Sequence, residues 1–171
     1  MPLQIEHTFD DKSYRHYTNG FLTVMHCHHY LTLATKLAEQ FGDIGGPRIL
    51  AESAEDAMRP LLDDYIKKHA ITAPAERLNV GAGFYGVVGM GKMEVQGDPS
   101  GGAVTLKKSH LDQGWIMKWG SRDTPMNYWT RGYISAMFGA AFDKPPRSYE
   151  VVEEAALVTG AAESKYRIKA K

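Results

Sequence analysis

The chain has 171 residues, and its twenty Lys and Arg balance twenty Asp and Glu, which excludes an overall field favouring nucleic acid or an anionic membrane surface. Its single cysteine, Cys27, excludes an internal disulfide and suits a reducing, cytoplasmic setting. A chain of this size buries roughly 70% of its unfolded surface, and no apolar run approaches the roughly 18 residues of a membrane span, so the expectation is one cytoplasmic domain over residues 1–171.

Residues 1–20 are polar and read as an N-terminal arm that closes in a turn at Asn19-Gly20. Residues 21–84 read as mainly helical. From Phe21 to Phe41, Leu22, His26, His29 or Tyr30, Leu33, Leu37 and Phe41 recur at three- and four-residue steps, the pattern of one helix face, with Gly42 as a stop. "RILAESAEDAMRPLLDDYIKKHA" follows as one or two helices, with a kink or restart expected at Pro60. "AERLNVGAGFYGVVGMG" is a Gly-rich helix running into a turn.

Residues 85–171 change character. "KMEVQ" and "AVTLKKS" alternate on either side of "GDPSGG", a hairpin signal, and "GWIMKWG" reads as a further strand. "MNYWTRGYISAMFGAAF" has helical spacing, and "SYEVVEEAALVTG" with "ESKYRIKAK" reads as paired strands. The order helices, hairpin, helix, hairpin predicts an α+β fold, with an N-terminal helical layer on a small antiparallel sheet.

The run "GKMEVQGDPSGGAVTLKKS", "NYWTRGYISAMFGAAF", "YEVVEEAALVTGAAESKYRIKAK" resembles the 4-vinyl reductase domain family. That family includes small-molecule-sensing domains of bacterial regulators of aromatic degradation and is related in fold to subunits of the TRAPP transport particle. The resemblance implies a pocket for a small apolar or aromatic molecule, such as a hydrocarbon, between the long helix and the sheet. Trp115, Trp119, Tyr128, Trp129 and Tyr133 fall where it puts that pocket, although Trp115, Trp119 and Tyr133 would serve equally as core. It also implies a homodimer paired through helices. Its zinc site maps onto Asn127, Glu153, Ala156 and Ser164; zinc needs about four thiolate, imidazole or carboxylate ligands, and only the glutamate remains. The terminal hairpin is therefore expected to hold by packing alone, and no cofactor is expected there.

The segment "MHCHHY" concentrates His26, Cys27, His28 and His29. On a helix the cluster splays, so His26 and His29 share a face while Cys27 aligns with Leu31 and Ala34. Three readings stay open. The histidines are structural, with His28 on the surface. Or His26 and His29 anchor the polar end of a ligand. Or the pair supplies two ligands to a metal, completed by His7, His16, His69, His110, Glu52 or Glu55. A metal- or thiol-dependent enzyme, a hydrolase or reductase, built on His26, Cys27 and His29 is the rival to a small-molecule binder. Cys27 is expected to be at least partly buried, as most single cysteines are. "GAGFYG" and "GVVGMG" lack the preceding strand of a phosphate loop and read as turns and close packing. No helix-turn-helix or output domain is legible, so the chain is not expected to be a transcription activator itself.

Overall fold

The computed structural model describes residues 3–171, apart from the side chain of His28. Three short strands, β1 (His7–Asp10), β2 (Arg15–Thr18) and β3 (Phe21–Thr23), form an antiparallel sheet in that order. Helices α1 (His28–Gln40), α2 (Gly46–Lys68) and α3 (Pro74–Val87) follow. Strands β4 (Gly91–Asp98) and β5 (Gly101–Ser109) lead to α4 (His110–Trp119) and α5 (Tyr128–Ala141), and β6 (Tyr149–Ala155) and β7 (Ser164–Ala170) close the second sheet in the order β4-β5-β7-β6. The fold is α+β. No helix among the described residues is long and apolar enough to cross a membrane.

Every neighbouring pair in the four-stranded sheet is antiparallel, with Met93 opposite Leu106, Val104 opposite Tyr166 and Val151 opposite Ile168. Alternation turns Val104 and Leu106 of β5 and Tyr166 and Ile168 of β7 to the inner face, where all four are buried. Helix α5 lies against α2, α3 and β6 and is buried from Thr130 through Ala141 except at Arg131. Small residues let its neighbours approach: a Cβ on Gly132 would lie 1.9 Å from the Ala51 carbonyl oxygen of α2.

Four expectations change. The arm is a sheet, whose Asn19-Gly20 turn places both residues at positive φ, the twist that suits a tight hairpin. The first helix begins at His28 instead of Phe21, because Phe21–Thr23 pairs with β2. Pro60 does not divide α2, which runs as one helix from Gly46 to Lys68. "GWIMKWG" is the second half of helix α4, not a strand.

Helix α1 is turned the opposite way from most amphipathic helices. Tyr30, Leu33 and Leu37 are 65%, 48% and 55% exposed. Its buried face carries Thr32 and Thr35, whose hydroxyls bond back to the carbonyls of His29 and Leu31 and so leave only methyl groups to pack. Its charged residues, Lys36 and Glu39, are half-buried and engage α4 and its following loop.

Candidate functional site

Asn127 caps α5, accepting the Thr130 N–H through Oδ1 at 3.3 Å. Of the aromatics expected to line a pocket, Trp129 and Tyr133 on this helix meet Tyr85 of α3, which the sequence reading did not single out. Trp129 and Tyr133 stack with centroids 5.6 Å apart, and Tyr85 of α3 approaches both, at 6.4 Å and 5.1 Å. Tyr85 and Tyr133 are fully buried; Trp129 is half-buried and forms the cluster's outer member. The Tyr133 hydroxyl donates to the Gly81 carbonyl at 2.7 Å, while the Tyr85 and Thr130 hydroxyls bond to each other at 2.8 Å. Burial pushes the phenol of Tyr85 well above its ordinary range, so it stays a neutral donor. The three rings and the polar pair pack together away from solvent, as part of the main hydrophobic core.

Trp115 and Trp119 do not join this cluster. As i,i+4 neighbours on α4 they meet each other, with centroids 4.6 Å apart, under the Lys36 ammonium and the Arg122 guanidinium. Tyr128 sits near that seam, donating its hydroxyl to Glu39, which also pairs with Arg122 at 2.8 Å. The five aromatics thus divide between two places. The resemblance puts Trp115 and Trp119 at the same pocket as the α5 rings; on helix α4 they meet each other elsewhere.

The positions that the resemblance assigned to zinc do converge. The Asn127 N–H donates to Glu153 Oε2 at 3.1 Å, the Tyr166 hydroxyl donates to Glu153 Oε1 at 3.0 Å, and the Leu157 N–H beside Ala156 donates to Ser164 Oγ at 2.9 Å. Buried Asp112 completes the network. Its carboxylate accepts from the Val158 N–H at 3.1 Å, from the Asn127 amide at 3.2 Å and from the Ser109 hydroxyl. The terminal hairpin is therefore held by buried hydrogen bonds as well as by packing. Burial, and then the Asp112 carboxylate, push Glu153 up to about 7, against the pull of Arg131 at 3.6 Å. The sequence reading missed Ser109, Asp112 and Tyr166. Ser109-His110-Leu111-Asp112 has the Ser-x-x-acid spacing of a helix start, which could have flagged the first two.

The "MHCHHY" residues are not gathered into one site. His26 precedes the helix and is exposed, its ring 5.7 Å from Tyr30 and 5.8 Å from His110. Cys27 is the N-terminal cap of α1 and is exposed, which overturns the expected burial; a residue at that position lies outside the helix face that periodicity assigned to it. His29 is half-buried, and the side chain of His28 is outside the described residues. His7 and His16 stack on each other in the first sheet, and His69 stacks on Tyr65. Among the described residues, no group of three or more His, Cys, Asp or Glu is placed to hold a metal ion. Because Cys27 is exposed and makes no side-chain cap bond, a thiol reagent should label it at once in the native protein. Cys27→Ser should leave stability unchanged or raise it by up to about 1 kcal/mol, since Ser caps well. Slow labelling, or a loss of stability in a urea titration, would contradict this placement.

No protein-family profile matches the sequence, and no curated protein matches it by sequence. Solved structures do match in fold. The phenol-responsive sensory domain of the transcription activator PoxR, with phenol, superposes with a TM-score of 0.79 at 12% identity, covering 96% of this chain and 84% of that one. Subunit 3 of a trafficking protein particle complex from Naegleria fowleri, covalently bound to palmitic acid, gives a TM-score of 0.55 at 10% identity, covering 84% of this chain and 95% of that one. Both are the fold relatives implied by the hairpin–helix–hairpin resemblance, and at these identities they establish a shared α+β fold.

Proposed function

We propose that this chain is a small-molecule-binding protein of the 4-vinyl reductase type, whose ligand is a compact, phenol-like aromatic held at the Tyr85–Trp129–Tyr133 cluster. The observation that carries the reading is the meeting of three rings from α3 and α5 beside the buried Tyr85–Thr130 hydroxyl pair. The likeness in fold to a domain solved with phenol supports it. The ligand's ring lies against the aromatic faces, its hydroxyl exchanges hydrogen bonds with Tyr85 and Thr130, and half-buried Trp129 is the side chain that moves to admit it. His29 remains a candidate anchor for a polar group. Phenol titrated into the protein in a calorimeter tests this. Losing the Trp129 ring removes about 1.5–3 kcal/mol of burial and stacking, so Trp129→Ala should weaken binding ten-fold or more. His29→Ala should cost less, about 0.5–1.5 kcal/mol for one neutral hydrogen bond. If the histidine change abolishes binding while the tryptophan change is neutral, the site lies on the "MHCHHY" segment instead.

The same protein is proposed to be a homodimer, and the inverted face of α1 is the observation that favours it. Tyr30, Leu33 and Leu37 form an outward stripe without a charged residue, continued by Phe41 and Ile44, which are 50% and 63% exposed. Leu33→Glu with Leu37→Glu should convert a dimer to a monomer in sedimentation. A wild-type chain that sediments as a monomer at high concentration removes the proposal.

A further inference from the structure

We propose that His7 and His16, on neighbouring strands of the first sheet, form a binding site for one divalent transition-metal ion of the kind that imidazole favours: nickel, copper or zinc. His7 Nε2 and His16 Nδ1 lie 3.1 Å apart. Two imidazole nitrogens on one such ion are separated by about 3.3 Å at a tetrahedral centre, and by about 2.9 Å where ligands stand at right angles. The observed gap falls between these values, so the pair already has the span that a single ion requires.

Strand register explains the convergence. His7 stands opposite Thr18 and Phe9 opposite His16, and residues two apart on a strand share a face. Both imidazoles therefore rise from the same side of the sheet, as diagonal neighbours across β1 and β2. His16 sits on the central strand, whose backbone is paired on both sides, and its ring is 4.7 Å from that of Phe9. The two donors thus start from backbone positions that the sheet holds in place.

The chemistry of the pair selects the ion. In the empty site one inner nitrogen carries a proton and donates to the other. A metal needs the lone pair of both. Each neutral imidazole has a second nitrogen for its proton, so one ring changes tautomer by exchange with water, and no proton is lost overall. Asp10, the carboxylate of the same strand, is on the opposite face and accepts instead from the Lys12 N–H and the Ser13 hydroxyl. Water fills the remaining positions. A donor set of two imidazoles favours nickel, copper and zinc over magnesium and calcium, which prefer oxygen ligands.

The ion would act as a staple. Strands of four, four and three residues make a sheet that is marginal on its own, and a bond across β1 and β2 would add order to it.

Zinc and magnesium are titrated into the full chain by calorimetry, and nickel, whose unpaired electrons broaden nearby resonances, locates the site by NMR. Zinc should bind one to one, magnesium should not bind, and nickel should broaden the amides of β1 and β2 first. His7→Gln and His16→Gln should each weaken zinc about ten-fold or more, and since both side chains lie outside the core the variants should stay folded. Zinc should also slow amide exchange in β1 and β2 of the wild type, and not in His16→Gln. The proposal is overturned if zinc does not bind at millimolar concentration, if magnesium binds as well as zinc, or if either variant keeps the wild-type affinity. It is equally overturned if His26→Gln or His29→Gln abolishes binding instead, which would place the ion on the "MHCHHY" segment.

Discussion

Replacing Gly132 by Ala should destabilise the protein by about 2 kcal/mol or more, although alanine is the better helix former by about 1 kcal/mol. The added Cβ falls 1.9 Å from a backbone oxygen, that of Ala51, and a backbone atom cannot rotate aside as the end of a side chain can. Helices α2 and α5 must part along their length, loosening Tyr133 and Met137 on one side and Ala54 on the other, all of which are buried. Gly83→Ala on α3 should behave oppositely. Its new methyl would meet nothing closer than the Leu3 side chain at 3.6 Å, so helix propensity decides and the variant gains about 0.5–1 kcal/mol. Urea titrations of both variants check the contrast; two changes of the same sign would mean that the α2–α5 spacing is not fixed by this contact.

The second large effect is a pH dependence set by Glu153. Burial raises its carboxyl from an ordinary value near 4.5 to about 7. Below pH 4.5 the group is protonated in both folded and unfolded chains and its full contribution is present. Between 4.5 and 7 the unfolded chain releases the proton while the folded one keeps it, so stability falls as pH rises, levelling off above 7. The loss from this one group amounts to about 3 kcal/mol. Glu153→Gln cannot ionise, yet it can accept the Asn127 N–H and donate to the Tyr166 oxygen. Its stability relative to the wild type should therefore improve by that amount between pH 4.5 and 8, read as a difference of urea midpoints. A difference that does not change with pH would show Glu153 to be ionised throughout.

Much of the second half of the fold was legible in the sequence. The "GDPSGG" turn between alternating segments gave β4 and β5, and the spacing of Trp129, Gly132, Tyr133, Ala136 and Met137 gave α5. These signals are local, and tertiary contacts reinforce them. "GWIMKWG" failed because seven residues fit either period, and the cap that settles the matter, Ser109 with Asp112, lies upstream of it. The direction of α1 was not legible either. Periodicity groups Leu33 with Leu37 on one face but carries no information on whether that face meets the core or the solvent. The aromatic candidates divided for a related reason. Strand and helix send residues four apart to places that differ, so misassigning α4 relocated Trp115 and Trp119. The polar network was hidden because its members come from β5, α4, the α5 cap and both terminal strands, and only the fold assembles them.

Strand order has a consequence for biosynthesis. β7 is last in sequence but lies between β5 and β6. As the chain emerges from its N-terminus, β4 and β5 can zip at once through their two-residue turn, whereas β6 arrives with no neighbour to receive it. Until β7 is complete, the inner edge of β5 and the facing edge of β6 both present unpaired amides and carbonyls, and the buried rows that include Val104 and Leu106 have no cover from Tyr166 and Ile168. Such open edges readily recruit strands from other chains. The nascent protein therefore passes through a stage in which its first-formed hairpin is also an adhesive surface, and insertion of a single strand ends that stage at both edges together.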